Sequence, residues 1–188
     1  MIEPRAIDEA LRRGDFARAT HELLAAYGEE LFGFLRAVGD DRRAARDAYH
    51  LVGERMLREL PDFCGRCSLR TWIYALACRA LSTEREKSKA SASGRSSIAA
   101  STAPFGPYRR ALTNVPAQLL ASLPSVDREL LVLRVDRLLS WRDLAWTTIG
   151  DLASECRLRA EAARLRRRFA RIRLDLLRRA ARLRFSPS

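Results

Sequence analysis

Asp62-Phe63-Cys64-Gly65-Arg66-Cys67-Ser68-Leu69-Arg70-Thr71-Trp72-Ile73-Tyr74-Ala75-Leu76-Ala77-Cys78-Arg79 reads as a turn feeding a helix. Gly65 gives the turn its backbone freedom, and Ser68 carries the hydroxyl of an N-cap. Beyond it Trp72, Leu76 and Ala80 fall on one helical face, with Ile73 beside them. Arg70, Thr71, Tyr74 and Arg79 are then left to project elsewhere. A helix start with aromatics, hydroxyls and arginines either packs or holds an opened nucleic-acid strand by stacking and phosphate contacts.

The sequence on either side repeats the helical theme. Upstream, Leu23, Leu24, Tyr27, Leu31, Phe34, Leu35 and Val38 recur at spacings of three and four, which predicts a helix from Phe16 to Val38. Gly39 ends it, and Asp40 or Asp41 caps the next, expected over Arg42 to Leu60. That helix should bury Ala45, Ala48, Tyr49, Val52, Met56, Leu57 and Leu60, and Pro61 closes it. Residues 1–15 form a mixed-charge lead-in in which Pro4 can open a helix and Gly14 breaks the pattern. The quoted stretch follows, and its helix is expected to run to about Lys87. Three helices with short connections over roughly seventy residues are just enough for a compact bundle.

Residues 88–110 lose all periodicity and consist mostly of small and polar residues, so they read as a flexible, mildly basic linker. Helicity resumes near Pro116. Ser125 is expected to cap a helix with Asp127 and Glu129 in its first turn and Leu130, Leu131, Val132, Leu133 and Val135 as its apolar residues. Ser140-Trp141-Arg142-Asp143 reads as a capping box, and Leu144, Ala145 and Trp146 continue its helix. Thr147 to Asp151 is the expected turn, with Asp151 as a cap and residues 152–160 as an extra helical turn or two. From Leu158 onward, Leu158, Ala162, Leu165, Phe169, Ile172, Leu176, Ala180 and Leu183 fall within an arc of roughly 80° at 100° per residue. Arginines occupy the rest of that surface. The expected fold class is therefore all-α: two small helical domains, 1–87 and 116–188, joined by a flexible linker over 88–115, the second with a helix-turn-helix.

Charge separates the parts. The chain of 188 residues carries a formal +12, yet residues 1–87 balance 15 basic against 15 acidic side chains. Residues 157–188 hold 12 arginines against Glu161 and Asp175. Arginine concentrated on one segment points to an anionic partner, most often nucleic acid. A solvated helix face, a basic helix lying on an acidic membrane surface and a coiled-coil strand are the competing readings. The apolar stripe is needed to cover the short helices before it, which favours the major-groove reading.

Other chemistry finds little support. No apolar run spans a bilayer and the first residues lack a signal core, so a cytoplasmic protein without membrane insertion is expected. Cys64-Gly-Arg-Cys67 raises zinc or thiol redox chemistry, but a structural zinc needs four ligands, and His21, His50 and Cys78 do not supply the pattern. Small residues in a tight turn of a reducing compartment remain the favoured reading of the pair. No catalytic set, metal quartet or phosphate loop is visible, so neither an enzyme nor a cofactor is expected.

The order Phe63-x-Gly65-x-x-Ser68-Leu69-Arg70-Thr71-Trp72-Ile73-Tyr74-x-Leu76-Ala77 resembles the promoter-melting segment of extracytoplasmic-function (ECF) sigma factors. The run from Leu120 through Pro124, Asp127-Arg128-Glu129-Leu130-Leu131 and Leu139-Ser140-Trp141-Arg142-Asp143-Leu144-Ala145 resembles the opening of their second domain. The resemblance covers about residues 16–87 and 116–178. It implies a subunit that binds core RNA polymerase through the β′ and β subunits and directs promoter recognition, DNA melting and transcription initiation. It implies downstream-element contacts at Arg66, Ser68, Arg70, Thr71, Tyr74 and Arg79, with the Cys64–Ser68 turn as a pocket for a flipped base. Trp72 reads as core. Upstream-element contacts are implied at Arg157, Arg164, Arg166, Arg167, Arg168 and Arg171. The polymerase-docking motif falls on Asp47, His50, Leu51 and Arg55, where His50 replaces the usual Gln and Leu51 the usual Glu. An anti-sigma factor is a common further partner in that family. The alternative is a helix-turn-helix DNA-binding regulator that does not engage core polymerase.

Overall fold

The computed structural model describes residues 4–39, 41–91, 117–150 and 153–184, and every regular element among them is helical. The chain divides into two compact units, Met1–Ser101 and Thr102–Ser188. Most of the expected linker lies outside the described residues, as does Asp40.

In the first unit α1 spans Pro4–Arg12, α2 Phe16–Val38, α3 Arg42–Glu59 and α4 Leu69–Ser91, with a 3-10 turn at Leu60–Asp62. The lead-in is thus a helix of its own, and it packs on α2 with Ile7 and Ala10 buried. Gly14, at φ +70, makes the reversal between them, and the Asp15 carboxylate caps α2 by accepting the Arg18 N–H at 3.0 Å. Gly39 ends α2 in extended backbone, not in a left-handed cap, and its N–H returns to the Leu35 carbonyl. Asp41 then caps α3 by accepting from Ala44 N–H at 2.7 Å.

The core of this unit is Leu23, Leu31, Phe34, Leu35 and Val38 of α2 against Val52 and Met56 of α3 and the middle of α4. Each fully buried side chain of this size stabilises the fold by about 1.5–3 kcal/mol. Helix α4 packs on α3 and also on α2, and every residue from Thr71 to Cys78 is buried. A helix buried on more than one face cannot have its interior read from a single stripe. Trp72, at 5% exposure, is core as expected, whereas Leu57, expected inside, keeps 50% of its surface. Helix α4 also continues four residues past Lys87, into the start of the expected linker.

The second unit contains α5 Ala117–Ala121, α6 Ser125–Val135, α7 Trp141–Ile149 and α8 Glu155–Arg184. Ser125 is the first helical residue rather than the cap. The Pro124 carbonyl accepts from the Asp127 and Arg128 N–H groups at 2.9 and 3.0 Å, and no side chain caps this end. The capping box is present: the Ser140 hydroxyl accepts from Asp143 N–H at 3.1 Å, and the Asp143 carboxylate accepts from Ser140 N–H at 3.3 Å. Leu130, Leu131, Val132, Leu133, Leu144, Ala145 and Trp146 form the core with Leu158, Leu165, Ile172 and Leu176 of α8. Among the described residues, no helix is long and apolar enough to cross a membrane.

Candidate nucleic-acid interface

Helices α7 and α8 are separated by only residues 150–154. Gly150, at φ +76, ends α7 and returns its N–H to the Trp146 carbonyl at 2.9 Å. The cap of α8 is Ser154, whose hydroxyl accepts from Arg157 N–H at 3.4 Å; Asp151, the expected cap, lies outside the described residues. An ion pair of 2.7 Å between Arg142 and Glu155 ties the first turns of the two helices together. The extra helical turn expected over 152–160 is therefore the start of α8 itself.

Helix α8 has 30 residues, about 45 Å at 1.5 Å per residue. Its arginines divide by what they touch. Arg157, Arg167 and Arg171 are exposed and make no ion pair among the described residues. Arg157, Arg164, Arg171 and Arg178 recur every seven residues and so form one row along the helix. Arg164, itself exposed, is held at 2.9 Å by the largely covered Glu161 one turn back. The Arg166 guanidinium lies over the Trp141 ring at 5.8 Å, and Arg134 lies over the same ring at 5.0 Å. Phe169 meets the ring edge-on at 5.5 Å, so Trp141 is the aromatic anchor that positions Arg166.

Arg168, of the expected DNA-facing set, meets an acid of the fold. Its Nε donates to the Asp127 carboxylate at 2.6 Å, and both side chains are largely covered. It clamps α6 to α8, because a guanidinium at the border of the apolar stripe finds an acid on the neighbouring helix before it finds solvent. Arg179 is likewise committed, to Asp175 and the Ser122 hydroxyl.

In the first unit, the turn before α4 puts Cys64, Gly65 and Arg66 on the surface, with Gly65 at φ +70. Ser68 caps α4: its hydroxyl accepts from Thr71 N–H at 3.1 Å and lies 2.8 Å from the Thr71 hydroxyl. Thr71 and Tyr74, expected to contact DNA, are 3% and 2% exposed. The Tyr74 hydroxyl donates to the Glu30 carboxylate at 2.7 Å, and its ring meets Phe34 edge-on at 5.2 Å. Arg70 donates to the same Glu30 oxygen and stacks over Tyr74 at 5.4 Å. Burial opposes the charge on Arg70, but the Glu30 carboxylate more than offsets it and raises the pKa above the ordinary value. Arg79 is exposed and paired with Glu59 at 2.7 Å. Of the six residues, Arg66 and Ser68 are on the exposed turn, Arg70 and Tyr74 serve the α2–α4 contact, Thr71 is buried and bonded to Ser68, and Arg79 bridges toward α3.

The expected docking residues separate in the same way. Asp47 and His50 are exposed and Leu51 is half-buried, on the α3 face opposite Ala48 and Val52. Arg55 donates to the Thr83 hydroxyl at 3.0 Å and so joins α3 to α4. Glu54 and the exposed Leu57 extend the same face, at three and seven residues from Leu51 and His50. Leu57 could not be singled out from sequence, since its helical spacing from Gly53 and Leu60 fits a packed position equally well.

Cys64, Cys67, Cys78 and Cys156 form no disulfide, and among the described residues no group of three or more His, Cys, Asp or Glu side chains could hold a metal ion. A scan against protein-family models gives no match for this chain, and a search of curated proteins gives none either.

Proposed function

We propose that the chain is a sigma-type subunit that binds core RNA polymerase and directs it to promoter DNA, with no enzymatic activity of its own. The observation that carries this reading is the exposed arginine row of α8, presented directly after the short α7–α8 turn. A helix so placed is suited to enter a major groove as the second helix of a helix-turn-helix. Arg157, Arg164, Arg167 and Arg171 meet phosphates or guanine edges, while Trp141 aims Arg166. The first unit, net neutral over residues 1–87, holds duplex DNA poorly by itself. Its exposed turn from Cys64 to Ser68 acts after DNA has been brought close. It takes a base flipped from the downstream element, with Arg66 beside it. Contacts there offset an unstacking cost of about a few kcal/mol per base step. The α3 face of Asp47, His50, Leu51, Glu54 and Leu57 docks on the polymerase, through the β′ subunit, and the second unit approaches the β subunit.

The second reading, a helix-turn-helix regulator that works without core polymerase, is favoured by His50 and Leu51 standing where the resembled motif has an amide and an acid. Size-exclusion chromatography with purified core enzyme, followed by transcription on candidate promoters, separates the two. Co-elution and specific transcripts are expected. DNA binding without co-elution would leave the regulator, and absence of both would end the DNA reading altogether. An anti-sigma factor, if the protein has one, would be recognised by its release from core enzyme in the same assay.

A further inference from the structure

The buried stripe is not the only apolar line on α8. Ala170, Leu174, Leu177 and Ala181 recur at spacings of four, three and four, the repeat by which one helix meets another along its length. All four are exposed, and Leu174 and Leu177 keep 55% and 63% of their surface. At 100° per residue this line lies roughly 130° round the helix from the Leu158–Leu176 stripe. The helices that cover the first line leave the second one open.

Charge decides what fits it. Arg173 flanks the line on one side and Arg171 and Arg178 on the other, all exposed and without an ion pair among the described residues. A second copy of the chain would set these arginines against their own counterparts across the seam, which is unfavourable. Duplex DNA would satisfy the arginines but leave two leucines against a polar backbone. The chain's own residues 92–116 contain Arg95, Arg109 and Arg110 and no Asp or Glu, so they cannot supply the complementary charge.

We propose that residues 170–181 of α8 dock an acidic amphipathic helix of another protein. Its apolar residues pack on Leu174 and Leu177, and its carboxylates flank them to meet Arg171, Arg173 and Arg178. This is the helix-in-groove mode reduced to a single seam, with register set by the leucines and orientation by the charges. Its leucine line and Arg173 are not used by the DNA reading, whereas Arg171 and Arg178 belong to the row that begins at Arg157, so peptide and duplex share that one flank.

The test uses the full chain and a fluorescein-labelled synthetic peptide of four heptads, with Leu at the seam positions and Glu beside them. Two control peptides carry Lys in place of Glu, or the same composition with the heptad scrambled. Anisotropy should show saturable binding of the acidic heptad peptide alone. Leu174→Gln with Leu177→Gln should weaken it by about tenfold or more, and Arg173→Glu with Arg178→Glu by a similar factor. These positions are exposed, so circular dichroism should show helix content unchanged. No binding of the acidic peptide would overturn the proposal. Equal binding of the scrambled peptide, or binding unaffected by the leucine changes, would also overturn it by reducing the contact to charge alone.

Discussion

Helices α4 and α8 each carry arginines beside aromatic and apolar residues, and the two put them to opposite uses. Arg70 of α4 is half-covered, shares the Glu30 carboxylate with Tyr74 and stacks on the Tyr74 ring. Arg79 is paired with Glu59. On α8, Arg157, Arg167 and Arg171 face solvent without an ion pair among the described residues, while Arg168 alone of the expected set reaches an acid on another helix. The difference follows from supply. Residues 1–87 contain an acid for every base, whereas residues 157–188 offer two acids to 12 arginines. A cation with a fixed carboxylate beside it is part of the fold; one without is available to an outside anion.

The hardest test of that contrast replaces Arg157, Arg164, Arg167 and Arg171 with Ala together. Affinity for duplex DNA should fall on the order of a hundredfold. If each residue meets one phosphate, the salt dependence should become shallower by about 3.6 in the log–log slope. Stability should move by no more than about 0.5 kcal/mol, since these are surface positions outside the packed stripe. An unchanged slope would place the DNA face elsewhere.

The converse test falls on α4. Glu30→Ala removes the acceptor used by both Arg70 and Tyr74 and should cost about 2 kcal/mol, the range for hydrogen bonds to charged groups. Glu30→Gln should recover part of this by accepting from Tyr74. Denaturant unfolding combined with amide exchange in α2 and α4 measures the loss. Duplex affinity should not change; a parallel loss of DNA binding would return Arg70 and Tyr74 to the binding surface.

Leu138 supplies a third comparison, between the fold of the second unit and its charged face. It is 74% exposed and adopts φ +56, in the turn that leads to the Ser140 capping box. A left-handed backbone costs a side-chain-bearing residue roughly 1 kcal/mol, which glycine does not incur. Leu138→Gly should therefore stabilise the second unit by about that amount, seen as slower amide exchange in α6 and α7. Duplex affinity should be unaltered, because α8 is untouched.

Much of the helical framework was legible in the sequence. The three-and-four spacing located α2, α3 and α8, the first-turn acids and apolar run after Ser125 located α6, and the Ser140–Asp143 box marked the start of α7. The errors share a cause. Periodicity identifies one buried face, but α4 lies against both α2 and α3, so Thr71 and Tyr74 are also taken inside. Leu57 failed in the other direction, because none of the described residues covers α3 on that side. The internal partners of Arg55 and Arg168, Thr83 and Asp127, went unseen because they lie 28 and 41 residues away in the chain, where no local pattern reaches. The second apolar line of α8 was hidden for a related reason: beside a strong stripe, two leucines among arginines read as part of a solvated face.

Between the paired, covered arginines of α4 and the unpaired ones of α8 stands a third case, paired but exposed. Glu9 of α1, its side chain 35% exposed, receives Arg12 and Arg13 at i+3 and i+4, and both arginines lie open to solvent. The Arg12 guanidinium first, and Arg13 second, hold its carboxyl below the ordinary carboxylate value. A depressed value in the fold means that the contribution is present above the unfolded value and is lost as pH falls through the folded one. Loosening of α1 should therefore appear only on the acid side of the normal carboxylate range, and be the smallest effect among these tests, since water screens the pair. Carboxyl-carbon NMR titration of Glu9 should give a midpoint below that of a free glutamate, moved back further by Arg12→Ala than by Arg13→Ala. A midpoint at the ordinary value would mean that exposure alone cancels the pairing. Burial of the carboxylate, as at Glu30, would then be what separates a structural arginine from an available one.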